Sequence, residues 1–413
     1  MLNTIRADAP RPIALDLSPP EVAARLRHLP NLVFFDTAKL EEDSNALSIV
    51  AAAPRALVHG HIERDWDTLR DALAGCDAGS ERDDGLPHGI AAGYVEYSGA
   101  FHFGLYDDPL LFRHADQRWY SAGDLESHLV AAAPPTACTR PDFRSQMEPG
   151  AFQDLVRRAQ EYIAAGDIYQ VNLAHRFTSQ WSGDPWAFYE ALRHYSPARH
   201  AAFLDLGGIT ILSSSPECFL KMSGEAIRTR PIKGTRPRRT DGLADEKSAF
   251  DLITSAKEVA ELIMITDLER NDLGIVCEFG TVTVPELLKL ERHEQVFHLV
   301  STVEGRLRPG VDHPQALRAC FPGGSITGAP KKRAREIIAE LEPISRGLYT
   351  GALGWFGFNG ESQFSIAIRT VVVEGDEAHF HVGAGIVADS SPEAEWQETL
   401  DKAAGILLAA ERL

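Results

Sequence analysis

A single lysine inside a short basic run is the first residue of this chain whose type and setting suggest chemistry. Lys233 lies in the run RPIKGTRPR at positions 230–238, where proline and glycine predict a loop or strand end with a defined path. The neighbouring Arg230, Arg236 and Arg238 would crowd this amine with positive charge, which favours loss of its proton and makes it a nucleophile. The alternative is an ordinary basic surface loop.

Two pairs of glutamates with the same spacing are the second candidate group. Glu258 and Glu261 lie three residues apart in one predicted helix, and Glu395 and Glu398 repeat the spacing in another, so each pair shares a helical face. Carboxylates in apolar surroundings are costly to bury without a cation, and Mg²⁺ prefers oxygen ligands. The alternatives are an exposed acidic stripe and, for Glu395, a favourable position near the positive end of a helix.

Three further polar residues follow or lie within predicted strands. Glu217 sits in a Ser-Pro turn after an apolar strand, where burial would raise the pKa of its carboxyl enough for general acid catalysis. The alternative is an exposed turn. Gln170 and Asn172 share one face of a strand, and buried amides need partners, so they form either a polar patch or the wall of a binding cleft.

An arginine and two glycines complete the candidates. Arg369 lies in an apolar strand predicted over residues 364–371, so its guanidinium should have an anionic partner. Gly383 and Gly385 allow a backbone to come close to a ligand.

The elements that must position these residues are predicted from hydrophobic periodicity and from capping and turn residues. They are a helix over 151–165, a strand over 167–177, one long helix over 243–267, strands over 295–307, 349–358, 363–373 and 377–387, and a helix over 391–412. The two helices that carry the glutamate pairs therefore enclose a block rich in strands.

Composition limits the class of protein. The chain has 413 residues, 44% hydrophobic and 24% charged, which is enough for a large core and two or three domains. A net charge of -18 argues against nucleic acid and anionic membrane surfaces as partners, so an anionic substrate would need a local site. No apolar run is long enough to span a membrane, the first residues do not resemble a signal peptide, and five scattered cysteines favour a reduced, cytoplasmic setting.

Six strings of residues, in order, resemble the chorismate-utilising enzyme family. They lie at 167–177, 213–217, 231–235, 264–274, 321–331 and 381–398. The resemblance is strong over residues 150–413 and weak before them. It implies an α/β (α+β) fold of two intertwined subdomains, with large facing antiparallel β-sheets and outer helices. Residues 1–140 would contribute strands to the shared sandwich, and 150–413 would form the catalytic domain that binds chorismate.

The resemblance also implies roles at matching positions. Mg²⁺ would be held by Glu261 and Glu398, with Glu258 and Glu395 beside them, and would meet the ring carboxylate of chorismate. Glu217 would be the general acid at the C4 hydroxyl. The other substrate-binding positions are Tyr349, Arg369, Gly383 and Gly385 for the enolpyruvyl carboxylate, and Gln170, Thr235, His298 and Ser325 along the same cleft.

Residues 170 and 233 separate the branches of this family. An amide at 170 with a lysine at 233 resembles the aminodeoxychorismate synthases, whereas anthranilate synthases carry alanine at the second position. The resemblance implies that Lys233 adds at C2 of chorismate, and that ammonia from a separate glutamine amidotransferase subunit then enters at C4. The product would be 4-amino-4-deoxychorismate, on the way to p-aminobenzoate and folate. The alternatives are an anthranilate synthase component I and a non-catalytic chorismate binder.

Overall fold

The computed structural model describes residues 5–6, 9–39, 46–77, 85–132, 138–292 and 296–413. The first twelve strands, in chain order, are β1 (Ile5–Arg6), β2 (Arg11–Ile13), β3 (Val33–Asp36), β4 (Leu47–Ala51), β5 (Ala56–His61), β6 (Cys76–Asp77), β7 (Ile90–Val95), β8 (Ala100–Tyr106), β9 (Leu110–Arg113), β10 (Arg118–Ser121), β11 (Arg144–Ser145) and β12 (Gln170–Gln180). The later strands are β13 (His200–Leu206), β14 (Ile209–Ser215), β15 (Cys218–Ser223), β16 (Ala226–Arg230), β17 (Ile232–Pro237), β18 (Thr283–Arg292), β19 (Val296–Arg306), β20 (Gly328–Ala329), β21 (Ala352–Gly357), β22 (Glu361–Ile366), β23 (Thr370–Glu374) and β24 (Glu377–Ile386).

The helices within the same described ranges surround these strands. They are α1 (Pro19–Leu26), α2 (Trp66–Ala74), α3 (Pro149–Ala164), α4 (Pro185–Tyr195), α5 (Gly242–Ile253), α6 (Ala256–Val276), α7 (His313–Cys320), α8 (Lys331–Leu341) and α9 (Pro392–Glu411). Two short 3₁₀ turns lie at Leu125–His128 and Gly324–Ile326. None of the described helices is long and apolar enough to cross a membrane.

Two large antiparallel sheets form the centre of the molecule. The twelve-stranded sheet runs β11-β12-β24-β23-β14-β13-β3-β4-β9-β10-β2, with β20 beside β12, and the ten-stranded sheet runs β17-β19-β16-β15-β22-β21-β7-β8-β5, with β18 beside β19. The chain passes repeatedly between the sheets, which confirms the predicted mixed fold of intertwined subdomains. The proposed division into residues 1–140 and 150–413 stays a prediction.

Apolar side chains fill the space between the sheets and under the helices. One core cluster joins Leu204 of β13 to Trp355 of β21, and so lies between the two sheets. A second joins α1, α4 and α9 to the twelve-stranded sheet, and a third joins α2, α6 and α7 to the ten-stranded sheet. The alternating and continuous apolar runs of these strands are thus buried on the faces that the pattern predicts.

The prediction of one long helix over 243–267 is wrong, because the structure has two helices there. α5 ends at Ile253, and α6 begins at Ala256. The Ser255 hydroxyl accepts a hydrogen bond from the backbone nitrogen of Glu258, so Ser255 is the N-cap of α6. A serine side chain competes with the helical backbone pattern within a helix and favours its first turn, which accounts for the break.

The strand predicted over 363–373 is also divided. β22 belongs to the ten-stranded sheet and β23 to the twelve-stranded sheet, so the chain changes sheets between them. Arg369 lies in this crossing with φ of 48°, a conformation that residues with a side chain seldom adopt. The prediction that this arginine lies inside an apolar strand is therefore wrong, and its backbone is strained where the two sheets meet.

Candidate active site

Lys233 is half-buried on β17, between Ile232 and Gly234. Its Nζ donates a 3.2 Å hydrogen bond to the backbone oxygen of Ser325, in the turn Gly324–Ile326. Gly234 follows with φ of 73°, and the pairing of β17 with β19 shifts register between Lys233 and Thr235. A bulge of this kind redirects a side chain, and here it accompanies the turn of the lysine toward Ser325.

The charges that face Lys233 are carboxylates. The prediction that neighbouring arginines crowd this amine is wrong, because each arginine has an acidic partner. These pairs are Arg230 with Glu291 at 2.5 Å, Arg236 with Glu258 at 3.5 Å, and Arg238 with Asp245 at 2.9 Å. The carboxyl groups that feel the charge of Lys233 are Glu217, Glu261 and Glu398.

Glu217 is buried at the end of the turn that follows β14, with 6% of its surface exposed. Burial raises the pKa of the Glu217 carboxyl, while hydrogen bonding from the Ser325 side chain, the charge of Lys233 and the backbone of Ile232 oppose the shift. Ser325 therefore touches both predicted catalytic residues. A buried carboxyl with a raised pKa retains its proton closer to neutral pH, as a general acid requires.

Gln170 contacts Glu261, whose carboxyl is close enough to Lys233 to be affected by its charge. The Nε2 of Gln170, at the start of β12, lies 3.4 Å from Oε2 of Glu261 on α6. A Cβ atom at Gly385, on the neighbouring strand β24, would lie 2.4 Å from that Nε2. Glycine at 385 therefore leaves the room that the amide occupies.

Two lysines pair with three of the four predicted metal ligands. Lys257 Nζ lies 2.8 Å from Oε1 of Glu395 and 3.9 Å from Oε1 of Glu261. Lys402 Nζ lies 2.8 Å from Oε1 of Glu398, and this pairing and other positive neighbours lower the pKa of Glu398 against the opposing effect of burial. The fourth glutamate, Glu258, pairs with Arg236.

The glutamates retain unused oxygens that suit a cation. The buried Oε1 of Glu261, Oε2 of Glu395 and Oε1 of Gln170 have no hydrogen-bond partner. Within the described ranges, no three histidine, cysteine or acidic side chains are already gathered around one point. Since a buried carboxylate oxygen requires a partner, these residues fit a hard cation, which Glu261 and Glu398 would hold with Glu258 and Glu395 beside them. Their role as Mg²⁺ ligands stays a prediction.

Tyr349 lies beside Gly383, which is on the same strand as Gly385. A Cβ at Gly383 would be 2.8 Å from the Tyr349 hydroxyl and 3.1 Å from Nδ2 of Asn172. The Asn172 side chain donates a hydrogen bond to the Tyr349 hydroxyl. The Tyr349 ring stacks on His381 with centroids 5.3 Å apart. The amide can donate to the hydroxyl, and the hydroxyl can in turn donate to an anionic group.

Arg369 faces a cavity of about 380 Å³. Thr235, His298 and Lys402 line the same cavity. Thr235 Oγ1 and His298 Nδ1 lie 3.0 Å apart. Among the residues that the structure describes, Arg369 forms no ion pair, and Glu217 is the carboxyl that acts on its charge. The anionic partner that the sequence predicts for this guanidinium is thus left to a ligand.

Several residues of the cleft were not predicted from the sequence. Lys402 donates to the backbone oxygen of Gly383 at 2.8 Å, and its spacing of four from Glu398 was the available signal. Arg346 is buried and donates to the backbone oxygens of Asn172 at 2.7 Å and Ile326 at 3.1 Å, which ties β12 to the turn that holds Ser325. No local pattern marks such a long-range role.

The fold and cleft define a family. A sequence model of the chorismate binding enzymes matches residues 36–408, so the chain belongs to this family. The solved anthranilate synthase component I from Streptococcus pneumoniae has a TM-score of 0.78 and 29% identity, covering 89% of this chain and 94% of that one.

Curated relatives carry two different names. The chain is 46% identical over 275 residues to anthranilate synthase component 1 3 of Haloarcula marismortui, covering 67% of this chain and 55% of that protein. It is 44% identical over 265 residues to aminodeoxychorismate synthase component 1 of Bacillus subtilis, covering 64% and 56%. The matches thus span little more than half of these relatives' lengths, and overall similarity does not separate the two activities.

Proposed function

We propose that this protein aminates chorismate at C4 to give 4-amino-4-deoxychorismate, with ammonia supplied by a glutamine amidotransferase subunit. The observation that carries the proposal is the hydrogen bond of the Lys233 amine to Ser325, whose side chain in turn hydrogen-bonds the buried Glu217. A lysine on the surface would support only binding. An amine opposite a buried carboxyl supports nucleophilic and acid catalysis in one step.

Cationic groups on both sides of the cleft would hold the substrate. Arg369 has a guanidinium without an ion pair in the described part of the chain, and it suits the enolpyruvyl carboxylate. Glu261 and Glu398, with Glu258 and Glu395 beside them, would hold Mg²⁺ at the ring carboxylate. When bound, the ion would neutralise the negative charge of that carboxylate.

Lys233 would enter the reaction as a neutral amine, and Glu217 would enter it as a carboxylic acid. Burial raises the pKa of the Glu217 carboxyl, which favours this acid form. The nitrogen then bonds to C2 while the two ring double bonds shift and the C4 hydroxyl leaves as water with the proton from Glu217. Ammonia next bonds to C4, the double bonds shift back and Lys233 departs as the free amine. The net change replaces the C4 hydroxyl by an amino group, consumes ammonia and releases water.

An anthranilate synthase is the second candidate, because relatives and a solved neighbour carry that name. In that reaction ammonia itself enters at C2 and the product is aromatic. Both reactions use the same substrate and the same kind of cleft, so the position of the new nitrogen distinguishes them.

Product analysis tests the proposal directly. The purified chain is incubated with chorismate, Mg²⁺ and ammonium, with and without an added aminodeoxychorismate lyase. We expect p-aminobenzoate only when the lyase is present. Fluorescent anthranilate would favour the second candidate. Absence of both products, even with an added amidotransferase subunit and glutamine, would contradict both.

A further inference from the structure

Glu269 and Asp272 are two buried carboxylates directly behind the candidate site. They lie three residues apart on α6, with exposed fractions of 3% and 4%. They are separate from the two glutamate pairs predicted to hold Mg²⁺. Since residues with this spacing share a helical face, both look toward the turn Gly324–Ile326 and the start of α8.

One lysine serves this acidic pair. Lys331 Nζ donates to the Asp272 carboxylate and to the backbone oxygen of Cys320, the latter at 3.0 Å. Glu269 Oε1 instead accepts a 2.9 Å hydrogen bond from the backbone nitrogen of Gly324. Three chain segments, the end of α7, the turn and the start of α8, are thereby fastened to α6.

The contact of Glu269 with Gly324 leads straight to the predicted catalytic residues. Gly324 precedes Ser325, whose backbone oxygen is 3.2 Å from Lys233 Nζ and whose side chain hydrogen-bonds Glu217. The turn is packed tightly on α6, because a Cβ at Gly324 would lie 2.6 Å from Leu268 Cδ2 and 3.0 Å from Glu269 Oε1. A shift of this turn therefore moves Ser325 relative to both groups.

We infer that Glu269 is a positioning residue, whose carboxylate holds the Gly324 amide and so orients Ser325 between Lys233 and Glu217. The inference rests on the proposed function, in which those two residues carry the chemistry. The competing explanation is that Glu269 merely fills space behind the turn. The two explanations differ in what happens when the charge is removed and the shape is kept.

The protonation state of Glu269 makes its hydrogen bond with Gly324 depend on pH. Burial, and then the neighbouring Asp272, raise the pKa of Glu269 to about 7, while Lys331 and the Gly324 amide oppose the shift and Glu217 adds to it. An ionised carboxylate is a stronger acceptor than a neutral one, so the hold on Gly324 strengthens as the pH rises through this pKa.

Stability changes in the opposite direction. The folded-state pKa of Glu269 lies above the ordinary carboxyl value, so the folded protein binds more protons than the unfolded chain between these two values. Its stability therefore falls as the pH rises across that window. Removing the ionisable group should abolish this loss.

The test compares Glu269→Gln with Asp267→Asn. Asp267 lies two residues away on the same helix, with its side chain 76% exposed. We expect Glu269→Gln to lower kcat about tenfold above neutral pH, the effect of losing a charged hydrogen bond, with little change in KM for chorismate. The ratio of wild-type to variant kcat should rise with pH, and the variant should have the higher Tm above neutral pH. A ratio independent of pH, or a kcat equal to that of Asp267→Asn, would overturn the inference.

A second measurement does not depend on turnover. The rate at which acetic anhydride modifies Lys233, followed by mass spectrometry of the folded protein, reports how Ser325 holds the amine. We expect faster modification at Lys233 in Glu269→Gln and an unchanged rate in Asp267→Asn. Unchanged modification in both would overturn the inference even if the wild-type protein fails to use chorismate, whereas lack of product with altered modification would reject only the proposed function.

Discussion

Gln170 Nε2 and Glu261 Oε2 lie 3.4 Å apart, which joins the first residue of β12 to the second turn of α6. This contact exists only because Gly385, on the strand beside β12, has no side chain. A Cβ at that position would come within 2.4 Å of Nε2. The amide, the glycine and the glutamate therefore form one unit.

We expect Gly385→Ala to displace Gln170 and disturb Glu261. The unfolding free energy should fall by about 1–3 kcal/mol, as for other overpacked sites, and activity should require more Mg²⁺. Thermal unfolding and a Mg²⁺ titration of activity measure these effects. Gly274→Ala on α6 is the matched control, since a Cβ there meets nothing within 4 Å. It should be neutral or slightly stabilising, and equal behaviour of the two variants would contradict the prediction.

We expect Glu261→Gln to abolish Mg²⁺-dependent activity while the fold remains. The carboxylate is 8% exposed and burial raises its pKa, so a neutral amide is tolerated, but it is a poor ligand for a hard cation. Activity should fall on the order of 10²-fold or more, beyond what loss of a supporting residue costs. The matched control is Glu393→Gln, an exposed glutamate in the first turn of α9. Unchanged activity in Glu261→Gln would remove the metal assignment.

We expect Lys233→Ala to reduce formation of aminodeoxychorismate to background, because no other amine takes its place at Ser325. If amination shifts from C4 to C2 in this variant, anthranilate is the product that reveals it. Lys289→Ala removes a half-exposed lysine that pairs with Glu286, and it should leave activity unchanged. Full synthesis by Lys233→Ala would reject the covalent step while leaving the family assignment intact.

We expect Arg369→Gln to act mainly on substrate binding. Loss of one charge-assisted hydrogen bond, about 1.5–3 kcal/mol, corresponds to a rise in KM of roughly 10- to 100-fold. Steady-state kinetics with varied chorismate measure this change. The control is Arg292→Gln, which removes a half-exposed arginine paired with Glu246. A change confined to kcat would place Arg369 away from the substrate carboxylate.

We expect activity to fall on the alkaline side as Glu217 loses its proton. Because burial raises the pKa of this carboxyl, the acid form persists to higher pH than for an exposed glutamate, and the alkaline limb lies correspondingly higher. Glu217→Gln should lower kcat by about 10²- to 10⁴-fold, and the activity that remains should no longer fall at alkaline pH. Glu225→Gln, in the exposed turn between β15 and β16, is the control. Retention of the same limb in Glu217→Gln would assign it to another group.

The local parts of this structure were predictable from the sequence. The strand of Gln170, the strand through His298 and the final helix all follow from periodicity and from capping residues, as does the spacing of the glutamate pairs. These signals are carried by neighbours along the chain. The family resemblance, which needs only strings of residues, supplied the arrangement of the sheets.

The contacts between distant segments were not predictable. Three of them join residues far apart in sequence: the ion pair of Lys257 with Glu395, the ion pair of Arg230 with Glu291, and the hydrogen bond of Glu269 with Gly324. The change of sheet at Arg369 was missed because an apolar run reads the same whether it forms one strand or two. Periodicity indicates which residues are buried, but it does not indicate which part of the protein they pack against.

The order of strands has a consequence for how the protein is made. β12 pairs with β24 from Val171 to Gln180, and β3 pairs with β13, so neighbours in the large sheet are distant in the chain. At a synthesis rate of about 5–20 residues per second, β12 waits many seconds on the ribosome for its partner. The edge of β12 is open to wrong pairing during that interval, and closure over such long loops is slow. Nascent chains halted before β24 should therefore depend on chaperones.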